Sequence, residues 1–472
     1  MVKNTLDTIQ KHFPFEATKD QNRLFKELAI FLENWDEKSL FLMRGYAGTG
    51  KTTVISALLD VLTDLKKGFV LLAPTGRAAK VMTKYSGREA STIHKEIYDI
   101  SGEENSRMEC VVKQSLYANT LVIVDESSMI SDENKKNDNS FFVSSLLDDL
   151  FEYVESGCNC KILLVGDNAQ LPPVGLPHSP ALEVDFLQKR FFGKIYFCEM
   201  KDIVRQSQDS GILYNATRLR VKLAADDFAL PYFDIENQPD ITTVSGVDLQ
   251  YLLEENYSRN NDEKAVVVTY SNKRANLYNK EIRRRILDRE SEICVGDKMM
   301  VLKNNYFWSK KSSKLSFIAN GDTIEIERIH QIEEKYGFRF AHIEMNLIDY
   351  PDMPNIDVIL LLDTINIEQA ALSYEDNKRL WDAIWAEYGD KPPRYKYMAM
   401  RGNKYMNALQ VKFAYALTGH KTQGGQWETV FIDQSFTRNG YQNSDYVRWL
   451  YTAITRAAKK VYLVGFDKTF FE

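Results

Sequence analysis

The residues best suited to chemistry begin at Gly45-Tyr46-Ala47-Gly48-Thr49-Gly50-Lys51-Thr52-Thr53. A short apolar run, Ser39 to Met43, precedes them, and the helical pattern Val54-Ile55-x-Ala57-Leu58-Leu59 follows. Strand, G-x-x-x-x-G-K-T and helix in that order form a phosphate cradle. Gly45, Gly48 and Gly50 let the backbone N–H groups, those of Ala47, Thr49 and Thr53 among them, converge on phosphate oxygens, and the helix N-terminus adds a favourable dipole. Lys51 is expected to reach the β- and γ-phosphates, and the Thr52 hydroxyl to ligate Mg²⁺. A second apolar strand, Thr120 to Val124, ends in Asp125-Glu126. A carboxylate at a parallel strand's tip faces the ligand crevice of a doubly wound sheet. Asp125 is therefore expected to hold Mg²⁺ through water, and Glu126 to orient or deprotonate the attacking water. A third strand, Lys161 to Val165, leads into Gly166-Asp167-x-x-Gln170-Leu171-Pro172-Pro173. There the Gln170 amide is placed to sense the γ-phosphate, on a loop stiffened by two prolines. The chemistry is nucleoside triphosphate hydrolysis.

The elements that must position these groups alternate as strands and helices through residue 198, an α/β pattern. Residues 85–119 interrupt the alternation and are polar at their tip, Ser101 to Arg107. Buried-strand patterns return at Ala265 to Tyr270, Val411 to Leu417, Thr429 to Asp433 and Val461 to Val464. Between them lie short β-rich runs, Ile293 to Leu302, Asp322 to Ile329, Phe338 to Glu344 and Val358 to Leu362, separated by turns such as Asn320-Gly321-Asp322; this texture suggests a small barrel. Leu372 to Tyr388 is a helical pattern with Trp381 and Trp385 on one face, expected to pack the insertion against the core. Asp132 to Ser140 reads as a loop.

At 472 residues the chain is too long for one core. Its 44% hydrophobic and 27% charged residues are those of an ordinary globular protein, and no apolar run reaches the roughly 20 residues a membrane span needs. Five cysteines fit a reducing compartment, and the expected location is the cytoplasm. Cys158-x-Cys160 has no second pair to complete a zinc site. A net charge of −6 means that any contact with nucleic acid must come from a local basic track. Arg283-Arg284-Arg285 reads as a solvated helix face instead.

Taken together, the ordered motifs resemble superfamily 1 helicases of the RecD/Dda-like branch. Phe15-Glu16-Ala17-Thr18-x-x-Gln21 resembles that family's adenine-reading Gln motif, and the P-loop follows. Ala73-Pro74-Thr75-Gly76-Arg77-Ala78-Ala79, Ser91-Thr92-Ile93-His94, Val124 to Met129 and Gly166 to Gly175 then match in family order. Glu199 to Gln206 resembles the motif that opens the second core domain. Gly419-His420-Lys421-Thr422-Gln423-Gly424-Gly425 and Tyr451-Thr452-Ala453-Ile454-Thr455-Arg456-Ala457 complete the set. Gly419 departs from the pattern, because an apolar residue often precedes the His-Lys pair.

The resemblance implies two RecA-like P-loop domains with a small pin insertion and an SH3-like β-barrel insertion. The first would be 1–198, with 85–119 as the pin insertion; the second 199–276 plus 410–472; the barrel and its helical element 277–409. ATP and Mg²⁺ would sit between the two core domains, with Gln21, Gln423 and Gly424 adding nucleotide contacts and Arg205 and Arg456 stabilising the transferring phosphoryl group. Thr75, Arg77, Thr92, His94, Asn272, His420, Lys421 and Thr422 would line a path for single-stranded DNA. Tyr98, Tyr270 and Trp427 are read as packing residues rather than base platforms. A monomer moving 5′→3′ on single-stranded DNA into forked duplex, with replication or repair proteins as partners, is the implied activity. A translocase that strips proteins without unwinding shares the same motor residues. A P-loop kinase or NTPase switch leaves the His420 to Gly425 block unexplained.

Overall fold

The computed structural model describes residues 2–101, 109–132, 145–204, 210–236, 238–257, 264–308, 317–348, 350, 353–434 and 440–471. Arg205, the tip of the expected pin and most of the Asp132–Ser140 segment lie outside them.

Apolar runs without alternation form central parallel strands, because helices cover both faces. β1 (Ser39–Gly45), β2 (Gly68–Ala73) and β3 (Ala90–Thr92) are followed by a two-stranded antiparallel hairpin, β4 (Tyr98–Ser101) and β5 (Glu109–Val112). β6 (Thr120–Val124), β7 (Lys161–Gly166) and β8 (Lys194–Met200) complete a six-stranded parallel sheet in the order β3-β2-β6-β7-β1-β8. Every residue of β6 and β7 is buried.

The chain then enters a second parallel sheet with β9 (Ile241–Val244) and β10 (Ala265–Thr269), and leaves it for a closed five-stranded barrel. The barrel strands are β11 (Lys298–Val301), β12 (Thr323–Lys335), β13 (Phe338–Leu347), β14 (Ile356–Leu361) and β15 (Leu409–Phe413). β14 and β15 pair in parallel, and the connection between them holds the helices Tyr374–Glu387 and Pro393–Gly402. β16 (Ala416–Thr418), β17 (Trp427–Asp433) and β18 (Ala457–Val464) finish the second sheet in the order β16-β10-β17-β18-β9. The α/β class, the two P-loop-type sheets and the inserted barrel are as the residue patterns imply.

Two expected boundaries move. The break at 198/199 falls inside β8, which pairs with β1 through Met200. As an edge strand, β8 mixes exposed and buried positions, so its end did not read as strand. The break at 409/410 falls inside β15, whose partners are the barrel strands β11 and β14. The apolar run Val411 to Leu417 therefore serves two bodies, bending at Ala414-Tyr415 before β16 joins β10. Hydropathy along a chain carries no mark of such a bend.

Asp297 anchors this junction. It is fully buried and accepts from Arg283 Nε (3.0 Å) and Nη2 (2.8 Å), Arg289 Nη1 (3.0 Å) and the Cys294 N–H (2.7 Å). Tyr415, at the bend, donates its hydroxyl to the same carboxylate at 3.3 Å and accepts from the Lys298 N–H. The arginine triplet is thus only partly a solvated face, since Arg283 is buried in this network. Trp381 and Trp385 stack on each other, 6.0 Å apart, and pack part-buried against the core shared by the barrel and the second sheet. Asp297→Ala leaves Arg283 buried without its carboxylate. The expected loss is about 3–5 kcal/mol, read from chemical denaturation; a loss under about 1 kcal/mol would show that water replaces the pair.

Candidate functional site

At the carboxyl end of β1 the cradle turns through Gly48 (φ 75°) and Gly50 (φ 83°) into the helix Lys51–Asp64. A side chain at Gly50 would also come within 2.7 Å of the Gln21 amide. No side chain caps this helix, so its first N–H groups remain available to an anion. Lys51 folds back onto its own loop, donating to the carbonyls of Gly45 (2.6 Å) and Tyr46 (3.0 Å). Thr52 is exposed in the first turn and Thr53 lies beside it, part-buried. The Thr49 hydroxyl donates to the Tyr46 carbonyl at 2.8 Å, closing the loop.

Gln21 takes a different place from the one expected. It is buried, its Oε1 accepting from the Thr18 N–H (2.9 Å) and its Nε2 donating to the Thr49 carbonyl (3.0 Å). Its amide caps one helix and braces the phosphate loop, so here it does not present an open edge to a base.

Asp125 and Glu126 follow β6. Asp125 accepts from the Tyr85 hydroxyl (2.8 Å) and from the Glu126 N–H (2.8 Å), which fixes the carboxylate's orientation. Burial pushes both carboxyls above their ordinary range; for Glu126 the Arg456 charge opposes that shift. Glu126 adopts a left-handed backbone, φ 52°, a costly conformation for a residue with a side chain.

The seam with the second sheet is polar. Arg456, buried, holds Nη1 3.8 Å from Glu126 Oε1 while donating to the carbonyls of Thr452 (3.1 Å) and Gly425 (3.3 Å). The preceding helix, Ser444–Ile454, sends three more side chains across. The Tyr451 hydroxyl donates to Asp167 Oδ2 (2.6 Å) and accepts from the Ala47 N–H (2.8 Å) of the phosphate loop. Thr452 Oγ1 accepts from the Leu171 N–H, and Arg448 donates to the carbonyls of Asn168 and Gln170. Gln170 is buried on the loop these residues grip, its Oε1 without a hydrogen-bond donor among the described residues. Sequence reading gave a role only to Arg456. The other three were legible as a polar stripe at i, i+3, i+4 on an otherwise apolar helix.

The expected strand-facing residues separate into several environments. Thr75 and Thr92 are helix N-caps, accepting from the N–H groups of Ala78 and Lys95. The Thr422 hydroxyl is buried against the Gly419 carbonyl. Burial drives His94 down to about 4 and also lowers His420, which favours the neutral form of both rings. Asn272 is part-buried at the start of the helix Asn272–Glu281.

Arg77 reaches the barrel, donating to Thr323 Oγ1 (2.5 Å) with its guanidinium 4.7 Å over Trp427. Lys421 donates to Asn320 Oδ1 at 3.2 Å. Asp322 lies so close to Gly76 that a Cβ there would meet its carboxylate oxygen at 1.9 Å. The barrel turn Asn320–Asp322 therefore rests on the loops of both sheets. Gln423 donates to the Leu171 carbonyl (2.6 Å), and Gly424 packs on Thr75 and Ala78, so neither joins the P-loop residues here. Gly419, the departure from the family pattern, lacks a side chain because the Trp449 ring occupies that space; a Cβ would stand 2.6 Å from it. Of the aromatics, Tyr98 is buried and bonded to Asp149, and Tyr270 packs edge-on to Trp449.

Family matches fall on the two lobes that make this cleft: the AAA domain on residues 17–221 and the UvrD-like helicase C-terminal domain on 413–464. The chain belongs to the superfamily 1 helicases of the RecD/Dda type. The ATP-dependent DNA helicase dda of Enterobacteria phage T4 is 24% identical to this helicase over 428 residues, 84% of this chain and 88% of that one. The ATP-dependent RecD2 DNA helicase of Deinococcus radiodurans is 35% identical over 162 residues, 34% of this chain and 20% of that one. A solved Pif1 helicase from Bacteroides, in complex with ADP-AlF3 and ssDNA, aligns over 97% of this chain and 95% of that one with a TM-score of 0.46 and 17% identity. As a helicase, the protein is a nucleotide-hydrolysing enzyme. Among the described residues no helix is long and apolar enough to cross a membrane, and no group of three or more His, Cys, Asp or Glu side chains gathers to hold a metal.

If Gln21 braces the loop and does not read the base, Gln21→Ala weakens ATP and GTP by the same factor, on the order of tenfold. Titration with fluorescent analogues of both nucleotides checks this; a loss confined to ATP would assign the amide to adenine.

Proposed function

We propose that this helicase moves 5′→3′ along single-stranded DNA and separates forked duplex, using Mg²⁺-ATP hydrolysed between its two sheets. The observation that carries the reading is the seam: Arg456 and Tyr451, from the second sheet's side, meet the catalytic loops of the first. Nucleotide bound there is enclosed by both lobes, so its hydrolysis alters how the lobes sit together. The direction of travel rests on the motif resemblance to the RecD/Dda-like branch.

Lys51 releases the carbonyls of Gly45 and Tyr46 and turns to the β- and γ-phosphates, exchanging two neutral acceptors for anionic ones. The N–H groups of Gly48 to Thr53 take the remaining phosphate oxygens. Mg²⁺ would need few protein ligands here. The exposed Thr52 hydroxyl and the Asp125 carboxylate, oriented by Tyr85, suit that donor set. Bound there, Mg²⁺ neutralises charge on the phosphates. Glu126 accepts the proton of the attacking water, its raised affinity for protons matching the task. Arg456 moves from Glu126 onto the γ-phosphoryl oxygens as charge develops, and Arg205 joins it. Gln170 offers its amide to the same group. When phosphate leaves, Arg456 loses that anion and the closed state its advantage.

Strand contact falls to the loops that carry Thr75, Arg77, Thr92, Asn272 and His420–Thr422, where the Arg77 and Lys421 cations and the Asn272 amide suit phosphate and sugar without reading sequence. The Asn320–Asp322 turn must lift from Gly76 for a strand to pass.

ATPase measured with and without oligo(dT) tests the reading, with forks bearing a 5′ or a 3′ tail as the second arm. Stimulation by the single strand and release only from the 5′-tailed fork are expected. Hydrolysis indifferent to DNA refutes the motor, and release only from the 3′-tailed fork refutes the direction. Arg456→Ala is expected to lose turnover by on the order of a thousandfold while still binding ATP. The acid limb of the residual rate should also move to higher pH, because Glu126 loses the charge that favours its ionised form; an unmoved limb breaks the pairing.

A further inference from the structure

The barrel insertion carries a concentration of charge that the motor does not use. From Lys391 to Lys404 the chain has five cations, Lys391, Arg394, Lys396, Arg401 and Lys404, and no carboxylate, in a protein of net charge −6. The Arg283–Arg285 cluster, by contrast, is neutralised within the fold. Arg283 pairs with Asp297, and Arg284 and Arg285 both pair with Glu281. Among the described residues none of the five makes an ion pair. Two of the nearby acids are hydrogen-bonded or ion-paired to other groups, Glu333 to His342 and Tyr405 and Glu387 to Tyr336 and Lys335, although Glu333 also feels the Lys404 charge; the exposed Asp390 precedes Lys391.

The patch is built on the helix Pro393–Gly402, held against the helix Tyr374–Glu387 by aromatic packing. Tyr397 meets Trp385 edge-on at 4.8 Å, and the Asn403 amide donates to the Tyr388 hydroxyl at 3.3 Å. Lys396 lies 5.2 Å over the Trp385 ring, Lys404 5.1 Å over Tyr405 and Lys391 5.8 Å over Tyr395, so aromatic faces steady three of the cations. Lys391, Arg394 and Lys404 are exposed, as are Tyr395 and Met398 between them.

We infer that this helix is a second polynucleotide contact, and that it binds the phosphate backbone of the duplex arm ahead of the motor. Cations that make no ion pair among the described residues are donors to anions; Arg394 and Arg401 share one face of the helix of about 15 Å, with Lys391 and Lys404 just beyond its two ends, a spread that suits several successive phosphates. A single strand is a poorer fit. Grooves for single strands offer successive aromatic platforms, whereas here Trp381, Trp385 and Tyr397 are closed against one another and the exposed Tyr395 ring carries Lys391 over its face. A convex helix face also lacks the groove that tracks a flexible chain. The inference rests on the helicase reading and adds to it: the motor grips the strand, and the insertion grips the duplex.

The test is fluorescence anisotropy on the full chain, with K391Q/R394Q/K404Q beside the parent, across a salt series. The probes are a blunt duplex, a single-stranded tail, and a fork bearing that tail. Three lost phosphate contacts lower the salt slope for blunt duplex and fork by about 2–3, so that raising salt fourfold costs the parent ~40-fold more affinity than the variant. Binding of the isolated tail and tail-stimulated ATPase stay at parental values. If tail binding falls together with fork binding, the patch is a single-strand contact and the inference is overturned. It is overturned equally if all three probes bind the variant as they bind the parent, which leaves an acidic protein surface as the partner. Failure of the helicase reading shows separately, as parental ATPase that ignores the tail. Because the three side chains are exposed, an unchanged thermal melt verifies folding.

Discussion

The two sheets are joined by apolar packing, with Ala169 and Leu171 set into the second sheet's core, and by a set of buried hydrogen bonds of which the Tyr451 hydroxyl is the clearest case. It stands between the Ala47 N–H and the Asp167 carboxylate, fully buried, and completes both. Arg448 and Thr452 do the same for the carbonyls and N–H of the Asn168–Leu171 loop. A buried polar group left without a partner costs about 1–3 kcal/mol, so these contacts hold the lobes firmly while they exclude water. Water can replace each of them once the cleft parts. A wholly apolar seam would carry a penalty proportional to the area exposed on parting, with no substitute. The polar part of the seam is therefore suited to repeated opening.

The cleft is also electrostatically poised. Lys51 is satisfied by its own loop, Arg456 leans toward Glu126, and burial holds Asp125 and Glu126 less acidic than ordinary carboxyls. Each group has a provisional partner that is weaker than a phosphate or a cation. The strained backbone at Glu126 points the same way, since a left-handed Glu persists only where its surroundings require that direction.

Much of this was legible in the residues. Central strands announce themselves by unbroken apolar runs, and the phosphate loop by glycines whose φ values no other residue adopts easily. The barrel was legible from short β runs broken by turns. What stayed hidden was relational. Gln21 matches a base-reading motif, yet the residue it braces, Thr49, is distant in sequence. Thr92 and Thr422 have the right chemistry for phosphate, but their hydroxyls are committed to their own backbone. Hydropathy could not show that Val411 to Leu417 changes body at Tyr415. Gly419 looked like a deviation until the neighbouring Trp449 ring accounted for it.

Only Ala414 and Tyr415 separate the last barrel strand from β16, and Tyr415 is bonded to the barrel's buried anchor at Asp297. So short and so tied a joint has little torsional freedom, and it makes the barrel a rigid lever on the second sheet. Rotation of that sheet about the cleft is magnified with distance, greatest at the barrel's far end and smallest at its root. The Asn320–Asp322 turn rides on this lever, over Thr75 and Gly76. Its contact with the first sheet then becomes a gauge of the angle between the lobes, read tens of residues away from the nucleotide.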